Sequence, residues 1–365
     1  MTTQQRLLLV SARWDHLGGH SGLAPLGEQL DTHFVVQRVV PNLVDKLRVG
    51  ARLAWGLLRE RLFGTPRRRG WNPFYNRHGL LLETAARRMA QAQHFDVIFF
   101  EALEDHFDAF ADARQWLKRT HVAGVSHQPP AWWRLYGGSD NVFAAVDTVI
   151  ALSRPAQAYL QQSGHANVQF VPHGVDADFF TPAAPRMLAA DAPIEVVFCG
   201  QWLRDFQQLS DTLDVLATAP QRYTFHLVVP KFARNFAQHY RLAQHDNVHW
   251  YAGVTDTALR DLYQRAHLLF LPLVDATANN SVLEAMACGL PMVVSKVGGV
   301  ADYVADGDAV FLTAKDGRHA ADQLAWSVDY YATCTANAER ARSRTASQLA
   351  WPVITARVAA LLRAI

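Results

Sequence analysis

Short apolar runs alternate with longer stretches of helical spacing along the first half of the chain. Residues 6–10, 34–40, 95–100 (FDVIFF), 121–125, 146–151 and 168–171 predict strands. Between them, residues 80–92 and 107–118 carry apolar positions at helical period. Strands that alternate with helices build parallel sheets covered on both faces. Residues 176–195 break the rhythm, with Pro182, Pro185 and Pro193 among alanines, a linker composition. The pattern then restarts, and 195–198, 224–229, 248–251, 268–272, 292–295 and 309–312 predict a second set of strands. At the end, Leu349, Val353, Ala356 and Ala360 fall at helical spacing, with Pro352 in the first turn. The expected fold is α/β: two doubly wound, Rossmann-like domains facing a central cleft. The expected division is 1–178, 179–346 and a C-terminal helix over 347–365 that packs back toward the first half. In such sheets ligands bind at the carboxyl ends of strands, where the strand order reverses.

Composition narrows the class. The chain has 365 residues, enough for two domains. Lysine and arginine number 35 against 33 acidic residues, which argues against a nucleic-acid binder driven by bulk charge. Half of the residues are apolar and 19% are charged, a globular composition. The three cysteines, Cys199, Cys288 and Cys334, show no CxxC spacing, which argues against a disulfide framework or a cysteine zinc site. The opening MTTQQRLLLV has an apolar run too short for a secretory signal or a membrane span. The expectation is a cytoplasmic protein, with peripheral binding to the inner face of the membrane as one form of it.

Three stretches can carry chemistry, and a fourth, VPHGVD, reads as a structural hinge. After the first predicted strand, Gly18, Gly19, His20, Ser21 and Gly22 let backbone approach a phosphate, or simply turn the chain. The spacing is not GxGxxG. His127 follows the fourth strand, where it can meet a sugar hydroxyl or a leaving phosphate. Gly174 in VPHGVD suits a turn residue with positive φ. The strongest stretch runs from Asp275 to Pro291. Asn279, Asn280 and Ser281 sit where a helix begins, and their amides and side chains can hold a diphosphate, while Glu284 on its first turn can accept two hydrogen bonds from a ribose diol. An N-cap cluster with a glutamate on the helix dipole accounts for part of the same pattern.

The segment LRDLYQRAHLLFLPLVDATANNSVLEAMACGLPMVVSKVGGVADYV resembles the donor-binding region of family 4 retaining glycosyltransferases, which have the GT-B fold. GGHSG, FDVIFF, VPHGVD, Gly298-Gly299 with Asp302, and Trp351 before the final helix match further motifs of that family, in the same order along the chain. The resemblance implies roles by position. Gly18, Gly19 and His20 would line the donor phosphates or sugar. His127 would contact the transferred sugar. Asn280, Ser281 and Val282 would offer amides to the diphosphate, beside Asn279. Glu284 would bind the ribose, and Val254 would lie beside the base. The family's first acidic residue falls at Ala276 here, and Asp275 would take its place. Gln201 stands where an arginine is usual. Arg204 occupies the second basic position, and Lys231 or Arg234 would supply the missing charge.

The implied reaction moves a sugar, with retention, from a UDP- or GDP-type nucleotide sugar to a saccharide or a lipid-linked acceptor. No cofactor and no DxD-type metal motif is required, because cations and amide dipoles can neutralise the leaving diphosphate. Residues 44–90 hold eleven basic side chains against three acidic ones, a surplus of eight, with apolar residues interleaved. That suits an anionic membrane surface or an anionic acceptor, with Arg67, Arg68 and Arg69 at its centre; an ordinary solvated basic face fits as well. Trp132 and Trp133 either line the acceptor side or pack in a core turn. A transferase acting on a small-molecule acceptor and a non-catalytic nucleotide-sugar-binding protein are the competing readings.

Overall fold

The computed structural model describes residues 4–12, 18–63, 75–108, 117, 119–136, 143–184, 187–189, 191–219 and 222–364. The chain folds into two compact units. The first is built on β1 (Arg6–Val10), β2 (Val35–Arg38), β3 (Val97–Phe100), β4 (His121–Ser126), β5 (Thr148–Ala151) and β6 (Val168–Phe170). Its described helices are α1 (Ala24–Gln29), α2 (Leu43–Phe63), α3 (Arg77–Ala92), α4 (Leu103–His106), α5 (Pro130–Tyr136) and α6 (Arg154–Gln162). The second holds β7 (Ile194–Cys199), β8 (Tyr223–Val228), β9 (Val248–Tyr251), β10 (Leu268–Leu271), β11 (Met292–Ser295) and β12 (Val310–Leu312). Its helices are α7 (Phe206–Leu216), α8 (Ala237–Leu242), α9 (Asp256–Arg265), α10 (Asn280–Ala287), α11 (Val300–Tyr303), α12 (Gly317–Asp329) and α13 (Tyr331–Gln348). A last helix, α14 (Trp351–Arg363), begins in the second unit and continues into the first from Thr355.

All strand pairs are parallel. The sheet orders are β2-β1-β3-β4-β5-β6 and β12-β11-β10-β7-β8-β9. Every strand predicted from the apolar pattern is present, with each end within two residues of the predicted one. The central strands β3, β10 and β11 are buried at every residue, as expected for strands covered on both faces. The predicted helix over 107–118 lies mostly outside the described residues.

The two units part at Val171 and Pro172 rather than near 178. The reason is a pair of backbone bonds between segments far apart in the chain. The Val175 N–H donates to the Leu349 carbonyl at 2.9 Å, and the Trp351 N–H donates to the Val175 carbonyl at 3.1 Å. The turn after β6 is thereby tied into the second unit. The glycine-rich segment through Pro25 also belongs to that unit, although β1, which precedes it, does not.

Candidate donor site

In the second unit the strand order reverses between β7 and β10, which are hydrogen-bonded neighbours. Ligands of open parallel sheets bind outside the carboxyl ends of strands at such a point. Arg204 lies there. Its Nε donates to the Cys199 carbonyl at the end of β7, at 2.9 Å. Its Nη2 lies 3.2 Å from Ser281 Oγ and 3.4 Å from Asn279 Oδ1. Gly200, at φ +95°, leaves room for this guanidinium, since a Cβ there would fall 2.4 Å from Nη2. Leu203 is held at φ 57°, a costly conformation for a side chain branched at Cγ. Two backbone bonds clamp the turn: Val274 N–H to the Leu203 carbonyl and Asp205 N–H to the Pro272 carbonyl, each at 3.0 Å. A strained turn therefore aims a cation at the start of α10. Asn279 caps that helix by accepting from the Val282 N–H. A cation and a helix N-terminus converging on one point form an anion site.

Glu284, one turn into α10, is buried. Ser21 Oγ donates to its Oε1 at 2.7 Å, and the Tyr263 hydroxyl on α9 donates to its Oε2 at 2.9 Å. Burial raises its pKa above the ordinary carboxylate range, against the pull of both hydrogen bonds. The carboxylate lines a small cavity with His20, Ser21, Gly22, His173, Val175 and Asn280. Each carboxylate oxygen can accept a second bond, so the expected ribose contact is compatible with these partners.

His20 is locked in place. Its backbone N–H donates to Asp256 Oδ2 at 3.0 Å, its Nδ1 lies 2.7 Å from Asp176 Oδ2, and its ring stacks on Phe179 with centroids 3.7 Å apart. Gly18 is constrained by the same carboxylate, because a Cβ there would overlap Asp256 at 1.6 Å. Gly19 faces open space.

Gly174 does not have the positive φ expected of it. Its requirement is steric, since a Cβ would meet the Trp351 indole at 2.4 Å. The VPHGVD turn is thus a seat for the closing tryptophan. Asp275 accepts from the following N–H of Ala276 at 2.8 Å and lies against Gly298, where a Cβ would sit 2.3 Å from its Oδ1. Arg234 is committed to the Val229 and Tyr251 carbonyls and stacks on Trp250. Lys231 is exposed, and Val254 is half-buried behind Gly253.

In the first unit His127 follows β4. The buried carboxylate of Glu104 gathers the Ser126 hydroxyl and the His127 and Gln128 N–H groups on Oε1, at 2.7 to 3.0 Å. Its Oε2 lies 3.5 Å from His127 Nδ1. Burial pushes the Glu104 pKa up, but the contacts with His127 and Ser126 outweigh it and hold it below the usual value. Beside it, burial and then the Glu104 charge push Asp105 up to about 7. Burial pushes Glu101, just past β3, up to about 8 and lowers His106 to about 3.

Two expectations on the acceptor side change. Trp132 and Trp133 are buried in the hydrophobic core of this unit, edge to face with each other at 5.0 Å. Trp133 also packs on Phe143 at 5.4 Å. Neither indole offers a face to a sugar; the core-packing alternative holds. Arg67, Arg68 and Arg69 lie outside the described residues.

Pattern reading placed Ser21 in the glycine-rich loop but missed its contact with Glu284, and it missed Tyr263, Asp256 and Glu104. Tyr263 and Asp256 sit within an ordinary amphipathic helix pattern, so nothing local marks them. Glu104 carried a faint signal, as one of three acids directly following an all-apolar strand.

Two doubly wound units of this topology define the GT-B fold class. Residues 193–329, within the second unit, match the family described as glycosyl transferases group 1. The chain is 29% identical over 202 residues to a D-inositol 3-phosphate glycosyltransferase of Catenulispora acidiphila, covering 48% of this chain and 46% of that protein. It spans about half the length of the curated relatives it matches. Among solved structures it resembles sucrose-phosphate synthase from Thermosynechococcus elongatus, with a TM-score of 0.74 and 17% identity over 99% of this chain and 98% of the other. It also resembles Anabaena HepE in complex with UDP and glucose, with a TM-score of 0.73 and 15% identity over 99% of this chain and all of the other.

Proposed function

We propose that this chain is a retaining glycosyltransferase that moves a sugar from a UDP- or GDP-type nucleotide sugar to a saccharide or lipid-linked acceptor at the inner membrane face. The observation that carries the reading is Arg204, held by a strained turn 3.2 Å from Ser281 at the N-terminus of α10. Charge develops on the departing diphosphate as the glycosidic bond breaks, and preorganised cations and amides stabilise it most when water is excluded. The acceptor oxygen bonds to the anomeric carbon on the face the diphosphate leaves, and the acceptor proton passes to a phosphate oxygen. Glu284 holds the ribose, and Lys231 or Arg234 adds charge near the donor. Asp275 stands in for the family's first acidic residue. His127, oriented by Glu104, contacts the transferred sugar. These residues carry the leaving-group charge without a metal ion. The group 1 match over residues 193–329 and the UDP and glucose bound by Anabaena HepE support the donor class. The basic surplus of residues 44–90 supports a membrane-borne acceptor.

A small-molecule acceptor is the second reading, favoured by the names of the inositol phosphate and sucrose-phosphate enzymes among the similar proteins. The test of the shared donor chemistry is thermal shift and calorimetry with UDP, GDP and their sugars, on the native chain and on Arg204→Gln. A ligand at a hundredfold excess over its Kd stabilises the folded state by about 2.7 kcal/mol. One nucleotide family should stabilise the protein, with the effect lost in the variant and with slow acceptor-free release of nucleotide from its sugar. Binding without any release would identify a nucleotide-sugar-binding protein. No binding would overturn both.

A further inference from the structure

Helix α2 carries an apolar stripe that faces away from the protein. Asn42 and Asp45 cap its start reciprocally, each backbone N–H donating to the other's side chain at 2.9 and 3.0 Å. Asp45 is fully buried and takes a forked contact from Arg88 of α3, whose Nε and Nη2 lie 3.0 to 3.1 Å from its oxygens. This pair of a buried carboxylate and a half-buried guanidinium fixes the rotation of α2 about its axis. It turns Asp45 and Val49 inward, with Leu53 and Gly56 half-buried on the same side.

The opposite side is exposed. Val44, Leu47, Ala51, Trp55, Leu58 and Leu62 are spaced by three and four residues and form one continuous line along the helix. Leu47 is 64% exposed, Trp55 61% and Leu62 63%. Single exposed leucines are ordinary, but a contiguous apolar strip of this length marks a surface that something covers.

The charge pattern selects the occupant. Lys46, Arg48, Arg52, Arg59 and Arg61 are exposed on the same helix, against Glu60 as its one exposed acid. On a helical projection Arg48, Arg52 and Arg59 run along one edge of the stripe. A second copy of this helix would bring cations against cations. An anionic lipid surface is complementary to both features, taking the apolar line into the acyl boundary and pairing the basic edge with headgroups. The helix is amphipathic, and no described helix is long and apolar enough to cross a membrane. A helix lying in the interface plane is what this pattern fits.

We infer that α2 is an interfacial helix that docks this protein on anionic membranes through Leu47, Trp55, Leu58 and Leu62, with Arg48 and Arg52 contacting the headgroups. The inference deepens the membrane-face reading above. It is measured without donor or acceptor, so its failure leaves the transferase reading standing, and failure of that reading leaves the docking result standing.

The experiment is sedimentation of the full chain with phosphatidylcholine vesicles, with and without phosphatidylglycerol, across a salt series. Binding should need phosphatidylglycerol and fall with salt over the range in which the Debye length shrinks below about 10 Å. Leu47→Glu and Leu58→Glu should each weaken binding roughly tenfold or more, since burying one leucine side chain is worth about that factor. Arg48→Glu with Arg52→Glu should remove the preference for phosphatidylglycerol. Quenching by brominated lipid should be smaller in Trp55→Phe than in the native chain. Unchanged circular dichroism and Tm in these exposed-site variants would exclude unfolding as the cause. The inference is overturned if vesicles of neither composition bind, or if the leucine variants bind like the native chain. It is also overturned if light scattering shows a dimer that Leu47→Glu dissolves, which would give the stripe to a second copy.

Discussion

Ser21 Oγ donates to Glu284 Oε1 at 2.7 Å, joining residues 263 apart in the chain. A serine in a glycine-rich loop thus helps hold the carboxylate that the helix after β10 presents to the candidate donor site. Removing the carboxyl takes the acceptor from the buried Ser21 hydroxyl and one of the partners from Tyr263, which also contacts Cys199. Glu284→Ala should cost about 1–3 kcal/mol for each donor left unsatisfied, read by urea denaturation. Glu284→Gln, which keeps an acceptor oxygen, should recover part of that stability and still weaken nucleotide binding. Equal nucleotide affinity in Glu284→Gln and the native chain would remove the ribose role.

Arg204 tests the leaving-group chemistry. Arg204→Lys keeps one charge but cannot reach Cys199 O and Ser281 Oγ together through a planar fork. Turnover should fall by about 10²–10³, the typical cost of losing one preorganised donor at a developing anion. A change in KM alone would assign Arg204 to ground-state binding.

Gly174→Ala should destabilise the second unit by about 1–3 kcal/mol, because the added methyl meets the Trp351 indole at 2.4 Å. A double-mutant cycle with Trp351→Leu should show coupling above about 0.5 kcal/mol, as contacting residues do. Additive effects would mean that the turn relaxes away from the ring.

The pH dependence of stability should carry the mark of Glu101. Its folded pKa, about 8, lies above the ordinary value near 4.5 because it is buried. Between those values the folded state holds a proton that the unfolded chain has released, so stability falls as pH rises through that window. Asp105, pushed up to about 7, shifts stability in the same direction. Glu101→Gln should flatten the decline between about pH 5 and 8 in denaturation midpoints measured across pH. An unchanged slope in Glu101→Gln would show that Glu101 is ionised in the folded state.

Trp132→Ala or Trp133→Ala should cost about 3–5 kcal/mol, the range for truncating a large buried aromatic. The loss should appear in thermal unfolding, with no selective rise in the acceptor KM of the protein that remains folded.

Much of the fold was legible because its causes are local. Strands such as Leu268–Leu271 are continuous apolar runs, and their spacing between helical stretches implies parallel sheets whatever the distant partners. The candidate donor loop was legible too, since a cap residue, small side chains and a helix start are adjacent in sequence. The partners of Glu284 were not, because Ser21 and Tyr263 reach it only after the chain has folded back on itself. The same holds for Gly174, whose need for a missing Cβ arises from an indole placed beside it by tertiary packing and not from its own φ. Trp132 and Trp133 look alike as core or as sugar platform, because burial is a property of neighbours. The stripe on α2 was visible as composition, but only the pairing of buried Asp45 with Arg88 decides which side of the helix faces out. Local backbone preference and apolar period are written in adjacent residues. Burial, long-range hydrogen bonds and the rotation of a helix about its axis depend on contacts between distant ones, and these the tertiary structure alone decides.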